Sequence, residues 1–87
     1  MITMVFSIYD NKASAFASPF LQANEEMALR GIRTVISSQP EQMMSQYPED
    51  FELYYLGTFD DQSGEFVGQT PKSIGNIKLM LAPTEAS

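Results

Sequence analysis

Pro48-Glu49-Asp50-Phe51-Glu52-Leu53-Tyr54-Tyr55-Leu56-Gly57-Thr58-Phe59-Asp60-Asp61-Gln62-Ser63-Gly64 is the stretch on which the reading of the fold turns. Pro48 breaks any preceding helix, and Glu49-Asp50 keep the approach polar. From 51 to 59 the residues alternate. Phe51, Leu53, Tyr55 and Phe59 fall on one face of an extended chain, with Glu52, Tyr54, Leu56 and Thr58 on the other. Asp60 to Gly64 then offer turn chemistry, with Gly64 able to take a positive φ, before Glu65-Phe66-Val67 return as a second strand. The stretch predicts a β-hairpin.

Working outward, residues 2 to 9 also alternate, with Ile2, Met4, Phe6 and Ile8 on one side, and predict a half-buried strand. Asp10-Asn11 ends it. The segment to about Gln22 reads as irregular because Pro19 lies inside it, and Phe16 and Phe20 are expected to fold back as a lid over the core. Asn24 is suited to cap a helix whose first turn holds Glu25 and Glu26. Ala28, Leu29, Ile32, Val35 and Ile36 form its apolar stripe, and Glu26 and Arg30 stand one turn apart as an expected ion pair. Gly31 weakens a helix interior by about 1 kcal/mol relative to Ala, which suggests that a strand passes close to it. Ser38-Gln39-Pro40-Glu41 has capping-box spacing, so a short second turn is expected to hold Met43, Met44 and Tyr47 against the core.

Beyond the hairpin, Gly68-Gln69-Thr70-Pro71 reads as loop, and Ile74, Ile77 and Leu81 recur at helical intervals interrupted by Gly75-Asn76, with strand an alternative from Ile77 to Leu81. The expected fold is α+β: a compact single domain over residues 1–82, in βαββ order, with a small antiparallel sheet covered by one main helix. Residues 83–87 are expected to form a flexible C-terminal tail.

Composition narrows the chemistry. A chain of 87 residues buries only roughly 60 to 65% of its unfolded surface, so the margin of stability is small. There is no His, no Cys and no Trp. That removes the commonest general base, thiolate metal ligands, disulfides and the usual partner of a serine nucleophile. Lys72 and Ser73 are adjacent in sequence, which does not place one side chain on the other. No enzyme activity, metal or cofactor is expected. The Asp60 to Gly64 turn departs from a calcium-binding loop, with Gln62 at the third position and no flanking helix pair. No apolar run is long enough to span a bilayer, and Met1 to Phe6 lack the features of a secretory signal, so a membrane partner is not expected.

The formal net charge is −6 and unevenly spread. Glu41, Glu49, Asp50, Glu52, Asp60, Asp61 and Glu65 lie between Arg33 and Lys72 with no cation among them. A domain built to grip phosphate would carry the opposite sign. The acids either keep a marginal domain soluble, or form an acidic face that meets a basic partner or resembles nucleic acid in charge. Lys12, Arg30 and Arg33, with Tyr9, Phe16 and Phe20 as aromatic neighbours, form the basic cluster that could contact single-stranded DNA, and Lys12, Arg30, Arg33, Tyr9 and Phe20 are the candidate residues for it. Tyr54 and Leu56, on the outer face of the hairpin strand, are the candidate interface of a homo-oligomer, most simply a dimer.

The hairpin stretch, together with Ser7-Ile8-Tyr9-Asp10-x-Lys12-Ala13, Pro19-Phe20, Ala28 and Arg30 in that order, resembles the small nonstructural protein, ORF5 or VP5 type, of gokushovirus-like microviruses. The resemblance covers roughly residues 5 to 70. It implies a nonstructural accessory protein acting in viral single-stranded DNA synthesis or genome packaging, in the cytoplasm of the host bacterium and outside the mature virion. Implied partners are single-stranded DNA or, in the alternative reading of an acidic protein-interaction module, the phage replication initiator, the capsid precursor or a host replication protein.

Overall fold

The computed structural model describes residues 1–81. The expected tail over residues 83–87 lies outside them. Strand β1 (Ile2–Asp10) is followed by two short strands, β2 (Ala15–Phe16) and β3 (Phe20–Gln22), then helix α1 (Glu25–Ser38) and a helical turn, α2 (Met43–Gln46). A single 3₁₀ turn (Pro48–Asp50) leads into β4 (Phe51–Asp60), which pairs with β5 (Phe66–Asn76), and a last short helix, α3 (Ile77–Met80), closes the described chain. All strand pairs are antiparallel, β1 having β2 and β3 along one side and β4 along the other, with β5 at the far edge. The expected α+β class, with one main helix over an antiparallel sheet, is borne out.

The helix covers one face. Asn24 caps α1, its Oδ1 accepting from the Met27 N–H at 2.9 Å, with Glu25 and Glu26 in the first turn as expected. Ala28 and Ile32 join Phe6, Leu53 and Ile77 in the buried core, and Leu29, Ile36, Phe20, Tyr55 and Met44 pack around it. Burying a side chain of this size stabilises by roughly 1.5 to 3 kcal/mol.

The hairpin between β4 and β5 also forms, and Gly64 has φ +76° as its place in the turn requires. Its register holds a correction. Tyr55 pairs with Phe6 but Gly57 pairs with Val5, so Leu56 is an extra residue on β4. That bulge reverses the alternation and turns Phe59 to the face opposite Leu53 and Tyr55, where sequence spacing had placed it with them. Gly57 makes the bulge feasible. It has φ +144°, and a Cβ there would lie 2.1 Å from the Val67 carbonyl oxygen.

Other expectations are revised. Residues 68–71 lie within β5 rather than in a loop, but Gln69, Thr70 and Pro71 together oppose Leu56 alone, out of register. An edge strand tolerates this, since Pro71 has no N–H to offer a neighbour. The segment after Asp10 is not wholly irregular, because Ala15, Phe16 and Phe20 to Gln22 hydrogen-bond along β1. The capping box does not form: Ser38 Oγ donates to the Thr34 carbonyl, and α2 begins at Met43, with Gln42 at its N-cap position making no side-chain cap. Met44 reaches the core, whereas Met43 and Tyr47 are exposed. Strand β3 does pass beside Gly31, but meets it through a side chain: a Cβ there would find only Gln22 Nε2, at 3.7 Å. Gly75-Asn76 does interrupt the spacing, as the end of β5, and the helix begins after it at Ile77 where a strand was the alternative, Asn76 Oδ1 accepting from the Lys78 and Leu79 N–H groups.

Candidate interaction surface

Side chains of successive strand residues point to opposite faces of a sheet. Phe6, Ile8, Phe20, Leu53 and Tyr55 therefore share the helix-covered face, and Tyr9, Phe16, Glu52, Tyr54 and Ser73 share the other by register. Ala28, Ile32, Met44 and Ile77, the core-packing residues of the three helices, all belong to the first face. Among the described residues, no helix packs on the second.

That open face carries an aromatic trio. Ring centroids are 4.7 Å apart for Tyr9 and Phe16, 5.7 Å for Tyr9 and Tyr54, and 5.1 Å for Phe16 and Tyr54. The last pair meets nearly edge to face, at 83°. Phe16 remains 46% exposed, and Tyr9 and Tyr54 are half-buried. At the other end of the same face Phe59 and Phe66 pair at 6.1 Å, with Phe66 exposed. Between them the sheet is sealed: Val5 is buried, and buried Ser7 donates its hydroxyl to the Ala17 carbonyl at 2.7 Å.

Glu52 borders the trio. It is the cross-strand partner of Tyr9 and lies two residues before Tyr54 on the same strand. Its carboxylate accepts from Ser73 Oγ at 2.9 Å and more weakly from Asn11 Nδ2 at 3.4 Å. Both donors are neutral. The only ion pair among the described residues joins the Met1 ammonium to Asp61 at 2.6 Å, raising the amine's pKa chiefly through that bond; both groups are exposed. In the hairpin turn, the Gln62 N–H donates to Asp60 Oδ1 and holds the Asp60 carboxyl below its ordinary range, with Ser63 adding to the effect.

The candidate DNA-contacting residues are spread over the molecule. Tyr9 and Phe20 project from opposite faces, Phe20 being stacked on Phe6 at 5.9 Å in the core. Arg30 and Arg33 line a shallow surface hollow on α1 with Glu26 and Met27, and the expected Glu26–Arg30 ion pair is not formed. Lys12 lies apart from that hollow, in the turn between β1 and β2, where its N–H donates to Asp10 Oδ1. Of the candidate interface residues, Tyr54 belongs to the trio and Leu56 is the half-buried extra residue of the bulge. From sequence, Phe16 stands among the aromatic neighbours of the basic cluster and Glu52 in the acidic run, with nothing to bring either to Tyr54. The available signal was the Tyr9 to Phe16 spacing, which a tight two-strand return converts into a contact.

Behind the covered face, an apolar cleft of about 280 Å³ opens between α1 and β3 beside Phe20, Gly31 and Met44. Among the described residues no group of three or more acidic side chains is placed to hold a metal, and no helix is long and apolar enough to cross a membrane.

Residues 3–80 match the family model described as Phage ORF5 protein. The chain is also similar to Protein ORF5 of Chlamydia phage 1, at 38% identity over 80 residues that cover 88% of this chain and 80% of that protein. No solved structure matches it.

Proposed function

The chain belongs to the phage ORF5 protein family, as its resemblance to gokushovirus-type proteins implied, and on that premise we propose that it is a non-enzymatic accessory protein of viral single-stranded DNA synthesis or genome packaging that works through the open face of its sheet. The observation that carries the reading is the Tyr9–Phe16–Tyr54 trio, an aromatic cluster on the side away from the helices. Large apolar patches left exposed on a small domain mark interaction sites. This reading places the protein in the host cytoplasm, acting before assembly is complete and absent from the virion.

A second reading has the same rings stacking the bases of single-stranded DNA, as sequence-tolerant binders do. The trio favours it; the charge opposes it. A net charge of −6 repels phosphate, and the two arginines lie on α1, away from the rings. A protein partner is therefore the preferred mode.

The test is complementation. A phage lacking this gene is supplied in its host with the wild-type protein or with the Phe16→Ala, Tyr54→Ala double variant, and single-stranded genomes are counted free and in particles. The reading expects accumulation of packaged single strands to be restored by the wild type and not by a double variant that folds normally. Full restoration by that variant would overturn it.

A further inference from the structure

We propose that the open face docks an arginine-rich segment of a protein partner, a guanidinium stacking on the Tyr9–Phe16–Tyr54 rings while it bonds the Glu52 carboxylate. This rests on the reading that the open face is the contact surface, and adds the chemistry of what it contacts.

Three observations converge on a cation. First, aromatic rings attract one over their faces, and a guanidinium, planar and weakly hydrated, stacks there better than an ammonium. Second, Glu52 stands where such a cation needs an anion: beside Tyr9 across the strands and beside Tyr54 along its own. A carboxylate has about four acceptor positions. Ser73 and Asn11 occupy one each, and neither neutralises it. Third, the strand residues that register with the trio on the open face include Glu52 and no lysine or arginine, Lys72 pairing with Tyr55 on the covered face.

Charge then decides between occupants. A second copy of this chain carries the same net charge of −6, which opposes its approach. A nucleic acid would bring its phosphates into the same repulsive field. A basic segment is the occupant whose charge complements the face, and steering by such a field raises association rates as well.

The full-length protein is titrated with fluorescein-labelled oligoarginine, with oligolysine of equal length and with an oligothymidylate, at about 0.15 M salt where distant charges are screened. Circular dichroism checks each variant for folding. Oligoarginine is expected to bind severalfold more tightly than oligolysine. Phe16→Ala and Tyr54→Ala are expected to weaken it about tenfold each, and Glu52→Gln about threefold. Arg30→Ala should leave it unchanged. Equal binding of the two peptides, indifferent to these variants, would overturn the inference by reducing it to diffuse attraction. Oligothymidylate binding that the same variants abolish would overturn it too, while leaving the open face as the contact surface. Should the double variant also restore packaged single strands in infected cells, the functional reading falls with it.

Discussion

The two faces of this sheet carry aromatic clusters of similar geometry and different fate. On the covered face Phe6 lies 5.9 Å from both Phe20 and Tyr55, and is fully buried. On the open face the Tyr9, Phe16 and Tyr54 rings are at least as close, yet Phe16 keeps nearly half its surface in contact with solvent. Ring contact alone therefore does not separate core from contact surface. Connectivity does: the long connection from β3 to β4 carries α1 over one face, whereas β2 and β3 are joined by three residues that reach only as far as Ser7.

Four tests, using six substitutions, break or sharpen that contrast. The bulge assigns residues to faces, so Gly57→Val should have the largest effect. Its Cβ would collide with the Val67 carbonyl in a backbone conformation closed to branched residues. A loss of about 4 kcal/mol or more is expected, enough to unfold a domain this small, read as lost tyrosine signal in near-ultraviolet circular dichroism. Adjacent residues on β4 then compare the faces directly. Leu53→Ala empties part of the core and should cost about 3 kcal/mol in urea denaturation, whereas Tyr54→Ala on the open face should cost about 1 kcal/mol. Equal losses would mean that the open face is structural.

The hairpin turn gives smaller effects. Gly64→Val should lower stability by about 1 to 2 kcal/mol, because φ +76° strains a branched residue, while Gly64→Asn should lower it by only a few tenths. Matching melting temperatures would show that the turn relaxes. Smallest is the acid response of Asp60. Its folded pKa lies below the ordinary 3.8, so its contribution is complete above that value and is lost as the pH falls through the folded pKa. The melting temperature of Asp60→Asn should be slightly below wild type at neutral pH, and the gap should close in acid. A gap independent of pH would refute that role.

Much of this was legible in the sequence because it was local. The alternation of Ile2 to Tyr9, the capping Asn24 and the turn glycine Gly64 each announce an element by themselves. The remainder depends on pairing. Ala15-Phe16 and Phe20 to Gln22 are too short to show a period and are strands only because β1 offers hydrogen bonds. The extra residue at Leu56 is invisible without its partners, and it is what turned Phe59 to the other face. Asn76 reads as an interruption and not also as a cap, because capping and breaking use the same residue types. For the candidate surface, sequence alone assigns Tyr9 and Tyr54 to different roles. Phe16, the residue that joins them, was grouped with Phe20, although the sheet puts the two on opposite faces.

The central claim, that the open face is where this protein meets its partner, is tested most directly by amide chemical shifts of the ¹⁵N-labelled full-length protein titrated with oligoarginine. The account predicts shifts concentrated on Tyr9, Phe16, Glu52, Tyr54 and Ser73, leaving Phe6, Phe20, Ala28 and Ile32 in place. Shifts concentrated on α1, or spread evenly over every acidic segment, would contradict it.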